Sequence, residues 1–191
     1  MDIGRQTEDG QVRGLLRRLR CGDVAAFEAL CADLEGPLFN YALKQVRDWN
    51  DAEDIAQESL LRLLTAARQG KLKTSPRGYA FSIAHNLAVD LNRRRDRVLV
   101  LNPPGSISAA RAAEQALLRD QVQRALAELP ENHRSALLLR EYGELSYAEI
   151  AAALGASLDQ VKVWIYRARR LLAQLLDKDG QYAGRQQQDK P

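Results

Sequence analysis

Aromatic residues are scarce in this 191-residue chain, with two Trp, six Tyr and three Phe. A sheet protein relies on aromatic and β-branched side chains to fill its pleated faces, so the shortage argues against strands. Abundant Ala, Leu and Arg favour helices. Cysteine is scarcer still. Cys21 and Cys31 have no histidine near them, and His85 and His133 are far apart, a pattern that fits no metal motif and no disulfide framework. The two thiols read as free in a reducing cytosol, and neither metal nor cofactor is expected. No apolar run approaches the roughly 18 residues of a membrane span. The opening MDIGRQTEDGQ has no apolar signal segment, so a cytoplasmic protein is expected. A strong excess of one charge is missing too. The net charge is only +3, less than a protein that holds nucleic acid alone through counterion release would carry. Any DNA contact is expected to need a partner's help.

What the chain does have is 46% hydrophobic residues, enough for real cores, arranged with helical period on either side of one break. The break is VLVLNPPGSISAA, where Pro103, Pro104 and Gly105 would stop any helix. The expected fold is all-α: a helical unit over 1–97, a flexible linker over 98–115, a second helical unit over 116–178 and a polar tail over 179–191. In the first unit helices are expected at about 12–20, 23–47, 51–69 and 76–96. The third starts in an acidic turn at Asp51 and ends at Gly70; the fourth is capped by Ser75 with Pro76 at its first position. Its core stripe reads as Ala80, Ile83, Ala84, Leu87 and Leu91, with Ser82, His85, Asn86, Asn92 and Arg93 on the other face.

In the second unit a helix is expected from Pro130 to about Tyr142, ended by Gly143. Two helix starts then follow in SYAEIAAALGASLDQVKVWIYRARR. Ser146 with Glu149 and Ser157 with Gln160 each have the spacing of a capping box, and Gly155 between them supplies a left-handed turn. Ala151, Gly155 and Val161 hold the places where a helix-turn-helix needs a small residue, a turn and a core residue. At 100° per residue, Val161, Ile165, Ala168 and Leu172 form the buried stripe of the second helix. Lys162, Val163, Tyr166, Arg169 and Arg170 fall opposite, offering cations and an aromatic to a DNA groove.

A different face appears between Asp51 and Leu61. Asp51, Asp54 and Glu58 form an acidic stripe edged by Gln57 and Leu61. The helix dipole is sufficient reason for acids in a first turn, but Glu58 lies beyond it, and the strip could dock a basic partner helix.

Three blocks in order, DAEDIAQESLLRLL, PRGYAFSIAHNLAVDLNRRR and LPENHRSALLLREYGELSYAEIAAALGASLDQVKVWIYRARRLL, resemble those of bacterial sigma factors of the extracytoplasmic-function group. The resemblance implies a dissociable subunit that gives RNA polymerase its promoter specificity. On it, 1–97 would be a region 2-like unit and 116–178 a region 4-like one. Asp51, Asp54, Gln57, Glu58 and Leu61 would dock core RNA polymerase. Arg77, His85, Asn86, Asn92 and Arg93 would face the −10 element of promoter DNA, and Lys162, Val163, Tyr166, Arg167, Arg169 and Arg170 the −35 element. An anti-sigma factor, often membrane-anchored, would be the second protein partner and could hold the chain at the inner membrane. Three positions depart from the family pattern: Tyr79 stands where Trp is frequent, Ser82 where Arg is, and Trp164 where a basic residue is. The rival reading is a two-domain regulator that binds an operator without polymerase; it accounts for the helix-turn-helix but not for RRRDR after a helix or for the acidic strip. An enzyme is not expected, because His85 and His133 have no nucleophile or phosphate loop beside them.

Overall fold

The computed structural model describes residues 14–15, 17–72, 75–99 and 113–178, and among them every regular element is a helix. After α1, within 14–20, come α2 (Val24–Val46), α3 (Trp49–Arg68), α4 (Pro76–Leu99), α5 (Ala113–Glu128), α6 (Glu131–Glu141), α7 (Tyr147–Leu154) and α8 (Leu158–Lys178). The Pro-Pro-Gly break lies outside the described residues, as do the tail and Lys73 and Thr74. The helical backbone of α4 runs to Leu99, and that of α5 starts at Ala113.

Local chemistry sets the helix ends. Asp23 caps α2 by accepting the Ala26 N–H at 3.0 Å. Arg47 closes that helix in the left-handed region at φ 58°. Asp48 caps α3 by accepting the Asp51 N–H at 3.1 Å, so α3 starts at Trp49, two residues before the acidic turn that the sequence suggested. Gly70, at φ 66°, ends it as expected. Ser75 caps α4 through the Gly78 N–H at 3.0 Å. Each such cap is worth about 1 kcal/mol.

The first core forms where α2, α3 and α4 meet. On α2, Leu30, Leu34, Leu38, Tyr41 and Ala42 are buried, at the i, i+4 spacing that lines one helix face. From α3 come Ala52, Ile55, Ala56, Leu63 and Ala66. The buried line of α4 is Ala80, Phe81, Ala84 and Ala88, whereas Ile83, Leu87 and Leu91 are only half-buried. This rotates the stripe away from the expected one. The cause is that α4 is covered twice, with Phe81 edge-on to Tyr41 of α2 at 5.6 Å and close against Gly143 beyond α6.

The second core gathers Leu126 and Leu129, Ala136 to Leu139, Leu145, Ile150, Val161, Ile165 and Ala168. It is continuous with the first. The end of α6 differs from expectation: Tyr142 closes it in right-handed geometry, and Glu144 rather than Gly143 takes the positive φ, 52°. Gly143 is needed for space. A Cβ there would lie 2.5 Å from the Leu139 carbonyl oxygen and 3.2 Å from the Phe81 ring.

Candidate functional site

The paired helix starts of the second unit fold as their spacing requires. The Ser146 Oγ accepts from the Glu149 N–H and the Glu149 carboxylate accepts from the Ser146 N–H at 2.9 Å. The second box repeats this, with Ser157 N–H to Gln160 Oε1 at 2.8 Å and Gln160 N–H to Ser157 Oγ at 3.2 Å. Gly155 turns the chain between them at φ 62°. On the inner side of α8 Val161, Ile165 and Ala168 are buried, while Leu172, expected in the same stripe, is only half-buried; Lys162, Val163, Tyr166, Arg167, Arg169 and Arg170 are all exposed.

Tyr166, at 67% exposure, is too open to be a core residue. Together with Tyr147, Lys162, Arg169 and Arg170 it lines an open cleft beside α8. Lys162 pairs with Asp159 at 3.1 Å and Arg169 with Glu141 at 2.8 Å. Such exposed pairs contribute little stability and exchange readily for phosphate contacts. Trp164 is half-buried, its ring 6.4 Å from that of His133. This accounts for an aromatic at a place where the family pattern is basic: the side chain packs on α6 and is partly withdrawn from solvent. Burial, with help from Arg167, holds the His133 pKa below its ordinary value.

On α3 the acidic residues separate. Asp54 and Gln57 are exposed and Glu58 half-exposed, and Glu58 pairs with Arg62 at 2.6 Å. Leu61, 59% exposed, lies beside them on the face away from Ile55, Ala56 and Leu63. Asp51 is committed elsewhere, accepting from the Arg95 guanidinium of α4, and Arg95 also reaches the Val46 carbonyl at 2.8 Å. The same end of the unit shows Trp49, 63% exposed and edge-on to Phe39 at 4.6 Å.

The α4 residues divide as well. Asn86 and Arg93 face solvent. His85 is half-buried, its Nδ1 3.1 Å from the Tyr41 hydroxyl. Burial holds its pKa below the ordinary value, Glu131 opposing and Arg93 reinforcing the effect, so the ring is neutral at pH 7. Asn92 donates to the Gln45 carbonyl at 3.2 Å. Arg77 donates to the Gly143 carbonyl at 2.7 Å and to Asp33 at 3.0 Å, with Glu144 at 3.6 Å.

Sequence reasoning missed the residues that α4 and α2 meet in the second unit. Gln45, 6% exposed, donates to the Tyr41 hydroxyl at 3.1 Å and to Ser135 of α6 at 3.2 Å, and accepts from Arg134 at 3.3 Å. A polar residue on the apolar stripe of α2, one turn beyond Tyr41, was the available signal.

A helix-turn-helix with a cationic, aromatic-tipped face, joined to a second helical unit with its own acidic face, defines a DNA-binding protein of the helix-turn-helix class. Residues 30–98 match sigma-70 region 2, and residues 119–172 match sigma-70 region 4. The RNA polymerase sigma-H factor of Pseudomonas aeruginosa is 28% identical over 190 residues, covering 90% of this chain and 95% of that protein. The ECF RNA polymerase sigma factor SigL of Mycobacterium tuberculosis is 32% identical over 167 residues, covering 83% and 93%. Among solved structures, that of CnrH in complex with the cytosolic domain of CnrY is 28% identical with a TM-score of 0.67, over 88% of this chain and 98% of that one. The chain belongs to the sigma-70 family of RNA polymerase sigma factors, within its extracytoplasmic-function group.

Proposed function

We propose that this chain is an alternative sigma factor that docks on core RNA polymerase through the outer face of α3 and reads promoter DNA with α4 and α8. It has no catalysis of its own, recruiting the polymerase active centre to a promoter from the cytoplasm. The observation that carries this reading is the separation of two exposed faces of opposite character. Asp54, Gln57, Glu58 and Leu61 offer acids around an exposed leucine, which suits a basic partner helix. Lys162, Val163, Tyr166, Arg167, Arg169 and Arg170 offer cations around an exposed tyrosine, which suits the −35 element in a major groove. On α4, Asn86 and Arg93 are placed to meet the −10 element directly, with Arg77, His85 and Asn92 behind them. Its regulator is an anti-sigma factor, membrane-anchored and seated across both units; in support, the structural relative CnrH was solved in complex with the cytosolic domain of CnrY.

Reconstitution tests this. The purified chain added to core polymerase should direct initiation from a defined set of promoters in genomic DNA, while the chain alone should bind those promoters weakly and with little sequence preference. Tight operator binding without polymerase, and no initiation with it, would instead identify a two-domain regulator.

A further inference from the structure

Six large apolar side chains are exposed among the described residues. Leu158, Val163 and Tyr166 lie on α8, whose outer face is assigned to DNA, and Leu61 lies in the acidic face of α3 assigned to polymerase. Val24 opens α2 as a single exposed apolar residue, which is ordinary on a protein surface. Trp49 is different. It is the largest of the six, 63% exposed in the first turn of α3, and its ring stands edge-on to Phe39 of α2 with centroids 4.6 Å apart. The turn that carries it is fixed on both sides: Asp48 accepts the Asp51 N–H, and the Asp51 carboxylate accepts from Arg95 of α4. An indole held by its neighbours yet open to solvent has little freedom left to lose on binding, which is the property of an interface anchor.

Its place on α3 selects the partner. At about 100° per residue, Glu53 and Gln57 lie about 40° and 80° round the helix from Trp49, and Leu61 about 120°. Trp49 thus stands on the α2 edge of the acidic face, and a ladder leads from it into that face, since the exposed Glu53 accepts from Gln57 at 3.4 Å. Trp49 and Leu61 are about 18 Å apart along the axis, a little over three turns of a partner helix. We propose that Trp49 is the anchor of the polymerase dock, taking an arginine of the basic partner helix against its indole face, with the Glu53 carboxylate one turn on as the counter-charge. The proposal rests on the sigma reading. A guanidinium over a Trp ring is the most favourable pairing of its kind, and a carboxylate four residues further along the helix lies within reach of the same planar fork. A second copy of the chain fits the patch less well. One Trp and one Phe offer a few hundred Å² at most, against about 800 Å² per partner in a stable dimer. The pair must therefore extend a larger interface, and the acidic face is the one that it adjoins.

The test titrates core RNA polymerase into the full chain carrying a C-terminal fluorophore, read by anisotropy. Trp49→Ala should weaken binding roughly thirtyfold, as loss of an anchor does. Trp49→Leu keeps apolar bulk without a π face and should lose roughly tenfold, whereas Trp49→Phe should stay within about threefold of wild type. Glu53→Gln should weaken binding about threefold. Combined with Trp49→Leu it should cost less than the product of the two losses, because both groups hold one arginine. Circular dichroism and melting temperature check folding; if Trp49→Ala unfolds, the comparison of Trp49→Leu with Trp49→Phe decides alone. Wild-type affinity in Trp49→Ala, Trp49→Leu binding as well as Trp49→Phe, or strictly multiplicative losses would each overturn the proposal. So would a Trp49→Ala chain that binds core normally but no longer self-associates in analytical ultracentrifugation, which would give the indole to a second copy. If the Asp54 and Glu58 double variant weakens core binding while Trp49→Ala does not, only the anchor is refuted. A wild-type chain that does not bind core refutes the sigma reading and the anchor together.

Discussion

Neighbouring residues on α8 have opposite consequences when changed. Lys162 is exposed and pairs with Asp159, whereas Val161 is fully buried where α8 crosses α7. Lys162→Ala should leave the fold intact and cost roughly 1–3 kcal/mol of discrimination at the −35 element if the contact is to a base. Val161→Asp should unfold the second unit by burying an unpaired carboxylate. Transcription from promoters with and without the upstream element, with circular dichroism of both variants, separates the two; undiminished dependence on that element in a folded Lys162 variant would remove it from the contact surface. Gly143 makes a third case. Its substitution by Ala forces a methyl group against the Leu139 carbonyl and Phe81, and should destabilise by about 1–3 kcal/mol in urea unfolding.

At the scale of the element, α3 carries two faces with separable roles. Ile55, Ala56 and Leu63 hold it to the core, while Asp54 and Glu58 lie outside, Glu58 making one exposed pair with Arg62. Replacing both acids by Ala should shift stability by less than about 0.5 kcal/mol, the usual range for surface positions. The same double substitution should weaken core polymerase binding several-fold in a pull-down or anisotropy titration, and wild-type binding would exclude this face as the dock. In the helix-turn-helix the reasoning runs the other way, since the serines are exposed yet structural. Ser146→Ala and Ser157→Ala should each lower thermal stability of the second unit by about 1 kcal/mol. Ser146→Ala should have the wider effect, because Glu149 also receives the Ser75 hydroxyl from α4.

For the whole molecule, two histidines withdrawn from water make stability depend on pH. His85 and His133 have pKa values held below 6.5 by burial. For Glu149, burial raises the pKa, but hydrogen bonds from Ser75 and Ser146 together with the Arg77 charge outweigh it, leaving the pKa below 4.5. In each case the unfolded chain binds more protons than the folded one between the two pKa values. The histidine contribution is therefore complete above 6.5 and is lost as pH falls through the folded values; the Glu149 contribution is lost only below 4.5. Urea midpoints taken from about pH 7 down to about pH 5.5 should fall, and His85→Gln should flatten the slope in part, with His133 supplying the remainder. An unchanged slope would show that His85 is not desolvated in the folded chain.

The boundaries of most helices, both capping boxes, the Gly155 turn and the buried stripe of α8 could be read from the sequence, because each depends on residues within a turn or so of one another. So could the exposure of Asp54, Leu61, Lys162 and Tyr166, which follows from which face the periodic apolar residues occupy. Contacts between distant parts of the chain were not legible. Arg77 meets a carbonyl 66 residues away and Gln45 a hydroxyl 90 residues away, and no local spacing encodes either. The same cause rotated the stripe of α4, since Phe81 became core only once the second unit covered it, and it drew Asp51 out of the acidic strip to Arg95, 44 residues on. The sequence by itself thus determined the helices and the faces they can present. Only the tertiary structure decided which of those faces the chain turns on itself, because that choice rests on apolar and polar contacts that close between segments far apart in sequence.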